Sequence, residues 1–460
     1  MEQNLHYVNN ELKGSYFTNE LYSTLMGTEM SFVRQKRGTD ASCCARGFAR
    51  SFAVPLVLIL AGLFPAVPAM AQTLGMVMDA STNSAIIFDA DLDVVLGSVL
   101  IPPGPAIGDC SIKSDQSLGF ATGFTGKVYV VDLTTLSLVP DGPINISNFG
   151  EDTSISPDGN FLVVANGANG FYPISVVDIA TQTQISTINF SGANHNSVDV
   201  CSNGSVLATS FDTSTLYRGT IDGAGLITNT GEVRAIPSPN NVSCAPGAQA
   251  GVVVSRNDTI RSFTIPGLEV VDTRALSALG IAAVFNPAGD RVYVRKPVTV
   301  DVFTFDSTTG ALGAAPMFTI PGVPVTDSFF GMEQIGIHPK GTKLYVPTIA
   351  GGGGLLVFDP NTGALITTIT NPDIVAPTGV CFASEGPGGL QVDIDIKPGG
   401  NPNIINLASK GMVPVMVFTT NDFDASRVDT LLNLTFAEAS PVHCSMADVD
   451  EDGDVDLICH

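Results

Sequence analysis

Tryptophan is absent from this 460-residue chain, and basic side chains are scarce: 21 lysines and arginines face 44 aspartates and glutamates. A net charge of −23 excludes the electrostatic footprint of a nucleic-acid binder or of a protein held on anionic lipid. No helix-period amphipathic run of useful length occurs, which leaves strands as the building elements. There is no C-x-x-C pair, so the usual signals for a zinc or redox motif are missing. No G-x-S-x-G elbow and no H-E-x-x-H is present either, which removes the sequence signs of a serine-elbow hydrolase and a zincin. The apolar run from Phe52 to Phe64 falls short of the ~20 residues a bilayer span needs.

That run reads instead as the core of a secretory signal. Arg46 and Arg50 precede it, and Pro65, Pro68 and the small-residue site Ala69-Met70-Ala71 follow. Cleavage is expected near Ala71-Gln72, with 1–71 as signal peptide and upstream extension; a retained membrane anchor is the alternative. Residues 72–460 then carry 15 basic and 39 acidic side chains. Such a chain, rich in Thr, Ser, Asn and Gly, suits a secreted, periplasmic or cell-surface all-β protein with no membrane span.

A tight turn recurs at Gln116, Gly159, Gly204, Gly247, Gly289, Gly341 and Gly386, and a second series at Asp89, Asp132, Asp178, Asp222, Pro266, Asp306 and Asp359. Two interleaved series with a common period of about 44 residues mark a β-propeller blade repeat, and seven members in each count seven blades. Copies such as Ser156-Pro157-Asp158-Gly159 combine a proline that presets φ with a glycine that closes the turn. Short runs rich in β-branched and aromatic residues follow, as in Phe161-Leu162-Val163-Val164. The chain meets an outer turn first and an inner hairpin last. The strand around Gly379-Val380-Cys381-Phe382 is therefore expected to close the ring against residues 73–100, leaving no free edge at the seam. The propeller is assigned to 72–386.

Cys110, Cys201, Cys244 and Cys381 all lie near inner hairpins. Neighbouring blades can bring Cys201 to Cys244 and, across the seam, Cys381 to Cys110; buried free thiols are the alternative.

Residues 387–460 break the repeat and read as a small β module. Within it, Asp448-Val449-Asp450-Glu451-Asp452-Gly453-Asp454-Val455-Asp456 places carboxylates at alternate positions around a turn-forming glycine. That spacing wraps oxygen ligands around Ca2+, from Asp448, Asp450, Asp452, Asp454 and Asp456. The twelfth position, where a bidentate Glu normally sits, is Cys459. A solvated acidic hairpin is the alternative. Cys444 and Cys459 flank the loop and can clamp its base. The chain ends directly after a motif that calls for a following strand, so the module reads as truncated.

Counting back seven or eight residues from each inner turn gives Asp109, Glu151 with Asp152, His195 with Asn196, Asn240, and Glu333 with Gln334, while two blades give Ala282 and Gly379. These positions face one mouth of the central channel. Either they form a polar-ligand or divalent-cation site in which His195 or a carboxylate activates water, or they cap loops around a wet channel.

The S-P-D-G-like turns, the pairs Tyr293-Val294 and Tyr345-Val346, and the segments at 176–183 and 357–363 resemble the YVTN-repeat, lactonase-like family of seven-bladed propellers. The likeness covers 73–386 and is specific for fold. Some relatives hydrolyse sugar lactones, and His195 and the rim carboxylates are the plausible counterparts of a lactonase site. Ile394-Asp395-Ile396-Lys397-Pro398-Gly399, Ser409 to Val415 and 448–457 resemble a C-terminal module of secreted bacterial proteins, which implies export. The reading that follows is a secreted binding or scaffold protein that presents a propeller face to a protein or polysaccharide. The alternative is a hydrolase that opens a small sugar lactone at the channel mouth.

Overall fold

The computed structural model describes residues 72–102, 107–123, 125–147, 149–167, 173–190, 194–324 and 335–383. It also describes 394–396, 412–419, 425, 442–448 and 453–460 of the tail. Strands are the regular elements of the described residues, with 3-10 geometry only at Ala350–Gly352 and at Ala425, as expected of an all-β chain. Seven antiparallel sheets lie between Leu74 and Phe382, six of four strands and one with a fifth short strand. The inner strands are Ile107–Ile112, Gly150–Ile155, Ser197–Val200, Pro239–Cys244, Ala282–Phe285, Gly336–Ile337 and Pro377–Phe382. Each packs on the next, and the last returns to the first. This is a β-propeller.

The two turn series have distinct physical causes. Gly159, Gly204, Gly247, Gly289 and Gly341 all take positive φ, from 67° to 84°, and Gln116 joins them at 59°. That is the region glycine enters without a Cβ penalty. In the outer series the aspartate side chain builds the turn. Asp132 Oδ1 accepts the N–H groups of Thr134 and Thr135, and Asp306 and Asp359 repeat the pattern two and three residues on. Pro266, the exception, follows a cis peptide bond.

The ring closes as the order of turns predicts. Pro377–Phe382 joins the sheet of Leu74–Asp79, Ser84–Asp89 and Val94–Leu100, with Met76 opposite Cys381. Cys110 and Cys381 are disulfide-bonded across this seam, and Cys201 to Cys244 between the third and fourth inner strands. Between neighbouring sheets lie apolar clusters such as Phe161, Val163, Phe190, Val198 and Tyr217, whose burial from water drives the sheets together.

The tail forms a sheet in the order Ile394–Ile396, Val415–Val417, Asp456–Cys459, Cys444–Ala447, closed by a Cys444–Cys459 disulfide. Asp456–Cys459, counted in the sequence as the end of the acidic motif, is itself a strand that follows the turn.

Candidate functional site

The rim residues lie at or just before the starts of the inner strands, and most are buried. They form a belt in which a side chain on one inner strand binds the backbone of the next. Asp109 Oδ2 accepts the Thr153 N–H at 3.0 Å and its hydroxyl at 2.9 Å. Asp152 Oδ2 accepts the Val198 N–H at 3.0 Å and the Ser197 hydroxyl. The Ser197 hydroxyl accepts the Val242 N–H at 3.1 Å, and Asn241 Oδ1 accepts that of Ala283 at 3.1 Å. Asn196 Nδ2 donates to the Asn240 carbonyl at 2.6 Å, and Asn240 Nδ2 to that of Ile281 at 2.7 Å. An edge strand must satisfy its N–H groups; here the neighbouring sheet's side chains do so. Asp152, Asn196 and Asn240 are thereby accounted for as inter-sheet ties.

Asp109 is different. Its Oδ1 is buried and has no hydrogen-bond partner among the described residues. It faces Gly379 of the last inner strand, where any Cβ would stand 3.4 Å from that oxygen. Burial raises the Asp109 carboxyl to about 6, against the pull of hydrogen bonds from Thr153, Cys110 and Asp152.

Glu151 lies over Gly167, whose missing Cβ leaves the space its carboxyl fills. Burial pushes it up to about 8; Arg256 pulls it back and Asp212 adds to the push. Arg256 is aimed into this region by two contacts. Its Nε donates to Asn240 Oδ1 at 2.9 Å, and its guanidinium lies 4.8 Å from the Phe211 ring centre. Burial thus holds both carboxyl groups on these adjacent inner strands above the usual carboxylate range, Glu151 further than Asp109.

His195 does not share this setting. It is fully buried, with its ring edge-on to Phe190 at 5.6 Å and to Tyr217 at 5.5 Å, inside the apolar packing between two sheets. Burial lowers it to about 4, so it stays neutral there. Glu333 and Gln334 lie outside the described residues, as do Asp450 and Asp452 of the acidic loop.

At the other end of the strands is a cavity of ≈ 390 Å³ lined by all seven inner strands, with both channel disulfides in its wall. The carboxylate in its wall is Asp199, half-buried and raised by desolvation. Both Asp199 oxygens are engaged, one by the Ser154 hydroxyl at 3.0 Å and the other by the Cys244 N–H at 2.7 Å. The cavity offers space, and the rim offers reactive groups.

No group of three or more His, Cys, Asp or Glu side chains is placed to hold a metal ion among the described residues. At the rim, Asp109 Oδ2 and Asp152 Oδ2 already accept backbone N–H groups of the neighbouring strands. In the tail, Gly453 takes φ 99° and its N–H reaches Asp448 Oδ2 at 3.2 Å, the turn a calcium loop needs at its sixth position. Asp456 points instead into the sheet, where Oδ1 accepts the Thr419 N–H at 2.9 Å.

Arg256, Arg295, Ser197 and Asp199 were not marked by the repeat. In a chain with so few cations, a fully buried Arg295 and a half-buried Arg256 carry information, but burial is invisible until the sheets stack.

No family model matches the chain, and no curated protein matches it. Solved structures do. A functionally unknown protein from Desulfotomaculum acetoxidans is 21% identical over 68% of this chain and 99% of its own, with a TM-score of 0.61. A putative 6-phosphogluconolactonase from Bacteroides fragilis is 16% identical over 68% and 98%, at 0.56. The periplasmic gluconolactonase of Pseudomonas aeruginosa is 15% identical over 68% and 99%, at 0.55. At these identities the likeness is one of fold, and the chain shares its β-propeller with lactonase-like proteins.

Proposed function

We propose that this propeller is a lactone hydrolase whose reaction centre is the rim of Asp109, Glu151 and Arg256. The observation that carries the reading is the buried Asp109 carboxyl, whose Oδ2 ties the next strand while its Oδ1 faces the side-chain-free Gly379 and takes no bond from a neighbouring backbone: an oxygen left out of the inter-sheet ties can accept a proton. In the reaction, Asp109 takes that proton while the water oxygen bonds the lactone carbonyl carbon. Arg256 stabilises the charge that develops on the carbonyl oxygen. The ring C–O bond then breaks, and Glu151 gives its proton to the departing ring oxygen. The product is the open hydroxy acid, and the proton held by Asp109 restores Glu151 through solvent. Separating the two carboxyl titrations divides the roles of base and acid.

Fold likeness to gluconolactonases and the acidic, signal-led sequence support a small sugar lactone as substrate and an exported protein cleaved near Ala71-Gln72. The same evidence favours catalysis over the scaffold role. In the tail, we propose that Asp448, Asp450, Asp452 and Asp454 hold a structural Ca2+, with Asp456 tying the loop to its sheet.

Acid release in a pH-stat from a panel of sugar, γ- and δ-lactones tests the reading. Turnover should follow a bell with limbs near 6 and 8. Asp109→Asn and Glu151→Gln should each cost about 10²–10⁴ in kcat, and His195→Ala should leave the kcat of the folded protein unchanged. No turnover from protein shown to be folded, or turnover indifferent to both carboxyl changes, would sink it.

A further inference from the structure

The sheets of Ala282–Pro321 and Gly336–Ile369 meet across an apolar interface that includes Tyr293, Val300, Ile320 and Val346. Arg295 ends the strand Arg291–Arg295 and lies two residues from Tyr293, hence on the same face. It is fully buried. One nitrogen, Nη2, donates to the Pro347 carbonyl at 3.1 Å, while Nε and Nη1 have no partner among the described residues. The next residue shows what this chain does with a buried cation it neutralises itself. Lys296 Nζ lies 2.6 Å from Asp301 Oδ2 and 2.7 Å from the Ser277 hydroxyl. Among the described residues Arg295 has one neutral carbonyl in place of a carboxylate. Directly opposite it in register is Ala282, a small, fully buried side chain that offers the guanidinium no polar partner.

A buried, uncompensated charge is among the costliest features a fold can hold. Arginine does not escape by losing its proton at neutral pH. The countercharge must then come from outside the described residues. Arg295 does not line the channel cavity, so a bulky ligand bound there does not supply it.

We propose that Arg295 is the base of a closed anion site between these two sheets, filled by an inorganic monoanion of chloride size. The anion fixes the two sheets against each other and takes no part in the lactone chemistry, so this inference stands apart from the proposed function.

The test is thermal unfolding of the whole protein at constant ionic strength, with chloride or bromide replacing sulfate. Tm should rise with halide and saturate. Arg295→Met should abolish that dependence. Should Arg295→Met not fold, Ala282→Asp places a carboxylate opposite the guanidinium; it should raise Tm in halide-free buffer and remove the halide response. A bromide anomalous peak within hydrogen-bond reach of the guanidinium is the direct expected result. Halide-independent stability of the wild type overturns the proposal, because the counter-ion is then internal. A halide response that persists in Arg295→Met overturns it as well.

Discussion

Removing the seam disulfide should weaken this fold more than removing the other channel disulfide, and the difference follows from chain length. Cys110–Cys381 closes a loop of 271 residues, and Cys201–Cys244 one of 43. In the chain-entropy account a cross-link removes conformations from the unfolded state as the logarithm of loop length. That gives roughly 5–6 kcal/mol for the first pair and about 4 kcal/mol for the second, at the upper end of what disulfides deliver. The difference of about 1.6 kcal/mol is the firmer quantity, because lost packing largely cancels: Cys110, Cys201 and Cys381 are all buried and Cys244 is partly so. The seam also has the most to lose, since its sheet joins strands from the two ends of the propeller sequence. The assay is urea unfolding of Cys110→Ala/Cys381→Ala and of Cys201→Ala/Cys244→Ala, each against wild type, with m-values compared. Equal losses, or a larger loss from the second pair with unchanged m, would refute the loop-length reasoning.

Two further outcomes are expected. Glu151 titrates near 8 in the fold against 4.5 when free, so its raised value favours the folded state at low pH, and that contribution is lost as pH rises from about 4.5 through 8. Ionising it where it sits costs on the order of 5 kcal/mol before relaxation. Glu151→Gln should therefore gain on wild type by a few kcal/mol between pH 5 and pH 9 in denaturant titrations, and a constant gap would contradict its burial as the cause. In the tail, equilibrium dialysis should find one weak calcium per chain, with Kd about 10⁻⁴–10⁻³ M for an extracellular-type loop lacking the twelfth-position Glu. Asp450→Ala should abolish binding without altering lactone turnover; binding that survives the change would move the site elsewhere.

The sequence alone determined the sheet architecture and the way the ring closes. Turn chemistry is local: a glycine with positive φ or an aspartate that caps its own turn announces itself every 44 residues or so, wherever the strands later go. Closure followed from the order of those turns; the phase of the cysteines within the repeat made their pairing possible, and only the packed ring decided disulfides over buried free thiols. What each rim residue does was decided only by the tertiary structure. Asp109, Asp152, His195 and Asn240 occupy similar phases, yet one carboxylate keeps a free oxygen, the second ties two sheets, the histidine sinks among aromatic rings and the amide positions Arg256. Arg256 and Arg295 come from the next strand and its following loop, which the repeat did not mark. The physical reason is that protonation and reactivity depend on burial and on partners from neighbouring sheets, about one repeat away in sequence. Periodicity fixes where a side chain starts, and only the packed ring fixes what surrounds its end.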